Sequence, residues 1–396
     1  MRELQPFELS VLLLPAGAIY LAVFVCAWRI TSSPAVASVL AAAKSLVYVL
    51  YFGLVFDGTY TLLDDWTYLE RGAELRAEGV NLLTAFDNLP LLIAVGQGDH
   101  FVYYLYNAIA FDLFGEGYYA PVALNGILTA PIALLATRLA VREQLVPWRL
   151  HEVFFAFVLL HPDILAWSTV LNGKDILVLL LHVMLLTAFS FFFSGRWKQA
   201  LLLGVPTVAA LLFLRYYVPV LFAAAWIISA VTRLRGRARF RMLAAAALVF
   251  GALMAQLGSE GLGFALDRLR EDMVNPVLGL VRFALTPVPF NTSSEYGFLD
   301  LPALFHWVMF PAVLLGIWQV ARMRSPFARF LLAYVAVFTA LYAVYGELQG
   351  PRHRVQLDFA WATLQFVGVG VAMRLMSLVT VRRRAMPASA ARAAQA

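Results

Sequence analysis

Cysteine and charge are both scarce in this chain, and each scarcity excludes a class of protein. The single cysteine, Cys26, sits inside the first apolar segment, so neither an intramolecular disulfide nor a thiolate zinc site can form. Charged residues make up only 14% of the 396, whereas 62% are hydrophobic and mean hydropathy is +0.78. A soluble domain carries about a quarter charged residues. The composition is that of a polytopic integral membrane protein. No cleavable signal peptide is expected: Val11–Val25 is apolar, but the residues before Trp28 lack a small-x-small site and the stretch ahead is weakly charged. A glycine-rich phosphate loop, a His-Glu-x-x-His helix and a nucleophile elbow are all absent from the sequence. Nucleic acid is not an expected partner.

What is present is a series of apolar stretches, at about 10–28, 36–56, 119–139, 152–171, 176–195, 199–214, 218–232, 242–258, 302–320, 328–346 and 356–376. They predict an all-α transmembrane bundle of about 11 spans. Residues 1–384 read as one domain, and the Ala-rich stretch 385–396 as a disordered cytoplasmic tail. Basic clusters punctuate the spans: Arg138/Arg142/Arg149, Arg196/Lys198, Arg233 to Arg241, Arg322/Arg324/Arg329 and Arg374/Arg382/Arg383/Arg384. Alternating through the spans puts every cluster on one side, the cytoplasm by the positive-inside rule. This requires Phe101–Phe114 to be an interfacial or re-entrant helix, and it depends on 199–214 and 218–232 staying separate around Arg215. The opposite face then receives the loops 57–100 and 259–301 and the short turns His161–Asp175, Arg215–Pro219 and Gly346–Asp358. Loops of that length in a compact bundle are usually functional.

Asp64 and Asp65, adjacent carboxylates where the chain leaves the second span, are the strongest candidate for chemistry. They open a short amphipathic helix, Trp66–Arg76, on which neighbours point about 100° apart, so the two are expected to divide their tasks. One suits a general base, and the other an orienting group or a ligand to a divalent cation. The competing reading is a helix cap at Asp65. In His161-Pro162-Asp163…Asn172-Gly173-Lys174-Asp175, Lys174 can neutralise phosphate and His161 or Asp163 can move a proton; alternatively Asp175 caps the next span and Lys174 snorkels to headgroups. Arg352-His353-Arg354, and Arg215 more weakly, break the charge bias of the outer face and so call for an anionic partner. The charges of Asp267–Asp272 read as a solvated helix, and Pro287–Asn291 as a lid.

Three short strings resemble the GT-C superfamily of polytopic glycosyltransferases, which includes protein O-mannosyltransferases and aminoarabinose transferases. They are Asp64-Asp65-Trp66-Thr67-Tyr68-Leu69, then His100-Phe101-Val102-Tyr103-Tyr104 with Leu113-Phe114-Gly115, and Arg352-His353-Arg354 before the last span. The resemblance implies an inverting transfer of a sugar from a polyprenyl-phosphate donor to a glycan, lipid or protein acceptor at the outer face of the cytoplasmic membrane. It implies Asp64 or Asp65 as base and Arg352 and Arg354 on the departing phosphate. Beside these, Lys174, Arg215, His353, His100 and Asp163 are the further candidate binding residues. A divalent metal at Asp64 or Asp65 is left open. The segment Pro162…Lys174-Asp175 also resembles surface-polysaccharide polymerases, and a lipid-linked sugar flippase is the non-enzymatic alternative.

Overall fold

A computed structural model describes residues 5–95, 100–232, 236, 273, 275–345 and 350–385, with side chains as far as residue 374. The first half of the chain folds into α1 (Leu9–Thr31), α2 (Pro34–Leu50), α3 (Leu63–Ala77), α4 (Leu89–Val95), α5 (Phe101–Phe114), α6 (Tyr119–Arg142), α7 (His151–Leu159), α8 (Pro162–Val170) and α9 (Asp175–Phe193). The second half contributes α10 (Trp197–Leu212), α11 (Tyr217–Val231), α12 (Pro276–Leu285), α13 (Asp300–Arg322), α14 (Pro326–Val344), α15 (Pro351–Val355) and α16 (Asp358–Ala385). No strand occurs among the described residues. The span expected at 242–258, the cluster Arg233 to Arg241, the run Asp267–Asp272 and the tail from 386 lie outside them.

Seven helical stretches among the described residues are long and apolar enough to cross a membrane: Leu9–Thr31, Pro34–Val55, Tyr119–Arg142, Trp148–Val170, Asp175–Phe193, Ser294–Arg322 and Pro326–Val344. The protein is therefore an all-helical, membrane-embedded bundle. Helices α5, α10, α11 and α12 are apolar but shorter. Helices α10 and α11 stay separate, and Arg215 lies in the connection between them.

Helix starts follow local chemistry. Ser33, Asn275 and Ser325 each accept a first-turn N–H at the head of α2, α12 and α14, and each precedes a proline at N1 that has no N–H to satisfy. In the stretch 148–170 the opposite happens: Pro162 cannot donate, so the helix breaks at Leu160–His161 and resumes as α8. The expected outer turn His161–Asp175 is thereby corrected. Residues 162–170 are helical, His161 and Asp163 are buried at the break, and only 171–174 link α8 to α9.

Two close approaches hold the bundle where the site needs it. Helices α13 and α16 touch backbone to backbone at reciprocal glycines: a Cβ on Gly316 would fall 2.0 Å from the Leu364 carbonyl oxygen, and one on Gly368 only 1.8 Å from that of Ala312. Between apolar helices in lipid such small-residue contacts replace the hydrophobic effect as the source of association. Gly368→Val is expected to cost about 1–3 kcal/mol or more, seen as a lower melting temperature in detergent; an unchanged value would mean that the seam does not bear on stability. Gly72 plays the same part between α3 and α5, 2.6 Å from Asn107 Cβ as measured from its own added Cβ.

The two ends of the bundle differ in chemistry. At one end Arg142 and Arg196 stack on the Phe191 ring, at 4.3 and 4.8 Å, which brings two of the basic clusters together. The junction where α3, α5, α9 and α15 meet instead gathers the acidic and hydrogen-bonding groups.

Candidate functional site

Arg352 is the centre of this junction. Pro351 starts the short helix α15 and places the next guanidinium between two carboxylates that are far apart in sequence. Its Nη1 donates to Asp64 Oδ2 at 2.7 Å and its Nε to Asp175 Oδ2 at 2.8 Å, with Tyr68 Oη 3.4 Å from Nη2. The two acids are unlike. Asp175 is fully buried and also accepts from Arg215 Nη2 (3.2 Å) and Gln356 Nε2 (3.0 Å), whereas the Asp64 side chain is 54% exposed. One arm of Arg352 is thus fixed in the protein interior. The other is held by a carboxylate that can exchange with solvent or substrate. These charged partners hold the Arg352 guanidinium, whose pKa is pushed up despite burial.

Asp65 has turned the other way. It is fully buried; its Oδ2 accepts from Tyr118 Oη at 2.7 Å and from the Leu62 N–H at 3.1 Å, and its Oδ1 has no partner among the described residues. The helix starts at Leu63 and not at Trp66, so Asp65 is not its N-cap; it sits at the third helical position and reaches back to the Leu62 N–H, which ties off the first turn of α3. The two neighbours point to different sides: Asp64 to the exposed side, toward Arg352, and Asp65 into the interior.

Burial is the larger influence on the Asp65 carboxyl and raises it from 3.8 to about 6, against the lowering by Tyr118, Leu62 and Arg352. A raised acid binds its proton more tightly when folded. Its stabilising contribution is therefore present below pH 4 and lost as pH rises through about 6. Asp65→Asn removes that loss, so the variant is expected to gain on wild type by about 2 kcal/mol between pH 4 and pH 7. Parallel melting curves in that window, with a pH-independent difference, would contradict it.

A network of neutral donors surrounds the buried acid. Asn172 Nδ2 donates to the Asp65 carbonyl (3.1 Å) and to Asn107 Oδ1 (2.9 Å), its N–H donates to Tyr118 Oη, and Tyr103 Oη donates to Asn172 Oδ1. The α3–α5 layer, the 171–174 link and the head of α6 are joined by it. Lys174 follows in the same link. Its ammonium is buried, donates to His100 Nε2 at 2.8 Å and lies 5.8 Å from the centre of the Tyr68 ring. Burial first, then Arg215 and Arg352, lower Lys174 to about 6. An amine in that state takes up a proton when an anion arrives. His100 itself adopts a left-handed backbone (φ +61°), a strained conformation for a non-glycine residue and one typical of functional positions.

The remaining expected residues separate. His353 packs against Tyr342, 5.5 Å between ring centres, with neither ring nitrogen partnered among the described residues; burial and then Arg215 push it down to about 3, which keeps it neutral. Arg354 points away from Arg352, donating to the Thr286 carbonyl and lying 3.5 Å from Asp163. Arg354 and Asp163 therefore belong to a second buried cluster and do not line the Asp64–Arg352 site. Asp64 and Asp65 do not share a ligand either, since their oxygens serve different partners. Sequence reasoning gave Asp175 only a capping role and passed over Tyr118, Asn107 and Gln356. The signal for Asp175 was its place beside Lys174, at a span boundary facing two unexplained arginines. A further polar pair inside the bundle, Lys44 Nζ to Ser168 Oγ at 2.7 Å, had no signal beyond an isolated lysine in an apolar run.

No known protein family, curated protein or solved structure matches this chain.

Proposed function

We propose that the protein is an integral membrane glycosyltransferase that moves a sugar from a polyprenyl-phosphate carrier to an acceptor hydroxyl. The reading rests on one observation: Arg352 and Asp64, 288 residues apart, meet at 2.7 Å, while the other arm of Arg352 is anchored on buried Asp175. Leaving-group phosphate oxygens take the place of Asp64 on the guanidinium, which suits a bidentate anion. Asp64, released, accepts the proton of the attacking hydroxyl while the anomeric carbon exchanges its bond to phosphate oxygen for one to the acceptor, with inversion. Arg215 and Lys174 add positive charge where the phosphate charge develops. Asp65 positions α3 and does not touch substrate.

In this reading the bundle has about 11 spans, α3 and α5 lie along the membrane interface, and the site faces the outside of the cytoplasmic membrane. The test is transfer by purified protein from a panel of radiolabelled polyprenyl-phosphate sugars in detergent or proteoliposomes. Transfer from any donor, abolished by Asp64→Asn, is the expected result. Carrier movement across proteoliposomes with the sugar–phosphate bond intact would replace this reading with a flippase.

A further inference from the structure

The second buried cluster holds three groups that the proposed transfer does not use. One ring nitrogen of His161 and one oxygen each from Asp163 and Asp358 lie within 4.8 Å of one another, and all three residues are at least 97% buried. Among the described residues no other group of three or more His, Cys, Asp or Glu side chains meets this geometry. Each also carries a side-chain atom without a partner among the described residues: His161 Nδ1, Asp163 Oδ2 and Asp358 Oδ2.

We infer that His161, Asp163 and Asp358 bind a divalent transition-metal ion. The first argument is the state of the histidine. Its Nε2 lies 2.9 Å from Gln365 Oε1, an acceptor, so that nitrogen donates its N–H and Nδ1 is left with a free lone pair. A ring nitrogen fixed by an N–H bond to a side-chain oxygen is the usual second-sphere arrangement of metal-bound histidine. The second argument is the surplus of acceptors. Three acceptor groups converge with Arg354 as the neighbouring cation among the described residues, and Arg354 reaches Asp163 only at 3.5 Å while also serving the Thr286 carbonyl. A proton placed between the two carboxylates would serve two of the three groups; a divalent ion serves all of them and offsets the unpaired negative charge. The mixed nitrogen and oxygen donor set favours an ion such as Zn2+ or Mn2+ over Mg2+ or Ca2+, which take oxygen alone.

The position gives the ion a structural consequence. Asp163 opens α8 just after the helix break, and Asp358 opens α16 three residues after α15 ends. An ion joining them would tie the broken span to the turn that carries Arg352.

Metal content of protein purified without added metal, by mass spectrometry, and melting temperature with and without chelator test the inference together. About one ion per chain is expected in wild type, with a melting temperature that chelator lowers and Mn2+ or Zn2+ restores. Asp358→Asn, nearly isosteric, is expected to lose the ion and to melt at the same temperature with or without chelator. Wild type that neither carries an ion nor responds to added Mn2+ or Zn2+ after chelation would overturn the site. So would an Asp358→Asn variant that retains the ion. None of these readouts involves sugar transfer, so the site stands or falls apart from the proposed activity.

Discussion

Arg352→Lys is expected to lower sugar transfer by about 10²-fold or more while the protein still folds, because the three N–H groups of a lysine radiate from one nitrogen and cannot reproduce the planar fork that holds Asp175 on one edge and an incoming anion on another. Asp64→Asn is expected to lose about 10²–10⁴-fold, the range for removing a general base. The two residues act as one unit in the proposed step, so the double variant should be little worse than the more damaged single one. Steady-state transfer with the best donor of the panel, alongside melting temperature, is the measurement. Arg71→Gln is the control: Arg71 forms an exposed ion pair with Glu74 on α3, away from Arg352, and its loss should leave transfer unchanged. Full additivity of the Arg352 and Asp64 losses would refute the shared role.

The largest effect on stability is expected at Asp175. Its carboxylate is fully buried and receives two guanidinium groups and an amide. Asp175→Ala strands Arg215 and Arg352 away from water without their common partner, a change of the class that costs about 3–5 kcal/mol. Low yield of folded protein and a markedly lower melting temperature should follow. The loss belongs to the orphaned charge more than to the absent bond. Adding Arg215→Gln to Asp175→Ala should therefore recover part of the stability, and a further decrease in the double variant would show that Arg215 is held by something else.

The elements that could be read from sequence are those whose signal is local. Composition and apolar run length predicted a helical membrane bundle, and the aromatic run Phe101–Phe114 marks α5 to the residue. Asp64-Asp65 stood out because two carboxylates beside a span are costly unless each finds a partner, and here Asp64 pairs with Arg352 and Asp65 ties off the first turn of α3. The outward arginines called for an anion, and the structure supplies Asp64 and Asp175 as intramolecular partners.

The parts that were not legible depend on which residues meet across the bundle. Arg352 and Arg354 are two apart on one turn of chain, yet α15 sends them to different clusters. His161-Pro162-Asp163 looked like a surface turn because proline and two polar residues usually are one; burial within a broken span depends on the helices packed around it. Gly316 and Gly368 each sit in a small-xxx-small spacing, Ala312 to Gly316 and Gly368 to Ala372, but a spacing that common does not say which two helices meet.

In the proposed reading, the unequal arms of Arg352 also set which anions the protein ignores. Asp64 is tethered beside the guanidinium, at an effective concentration of the millimolar order or higher. Chloride, free phosphate or a passing lipid headgroup must outcompete that built-in occupant, so a bystander ion with one weak contact is turned away. A ligand that brings a second foothold near Lys174 or Arg215 displaces Asp64 without having to bind tightly through Arg352 alone. The exposed carboxylate is in this sense a selectivity threshold, set by the fold before any substrate arrives.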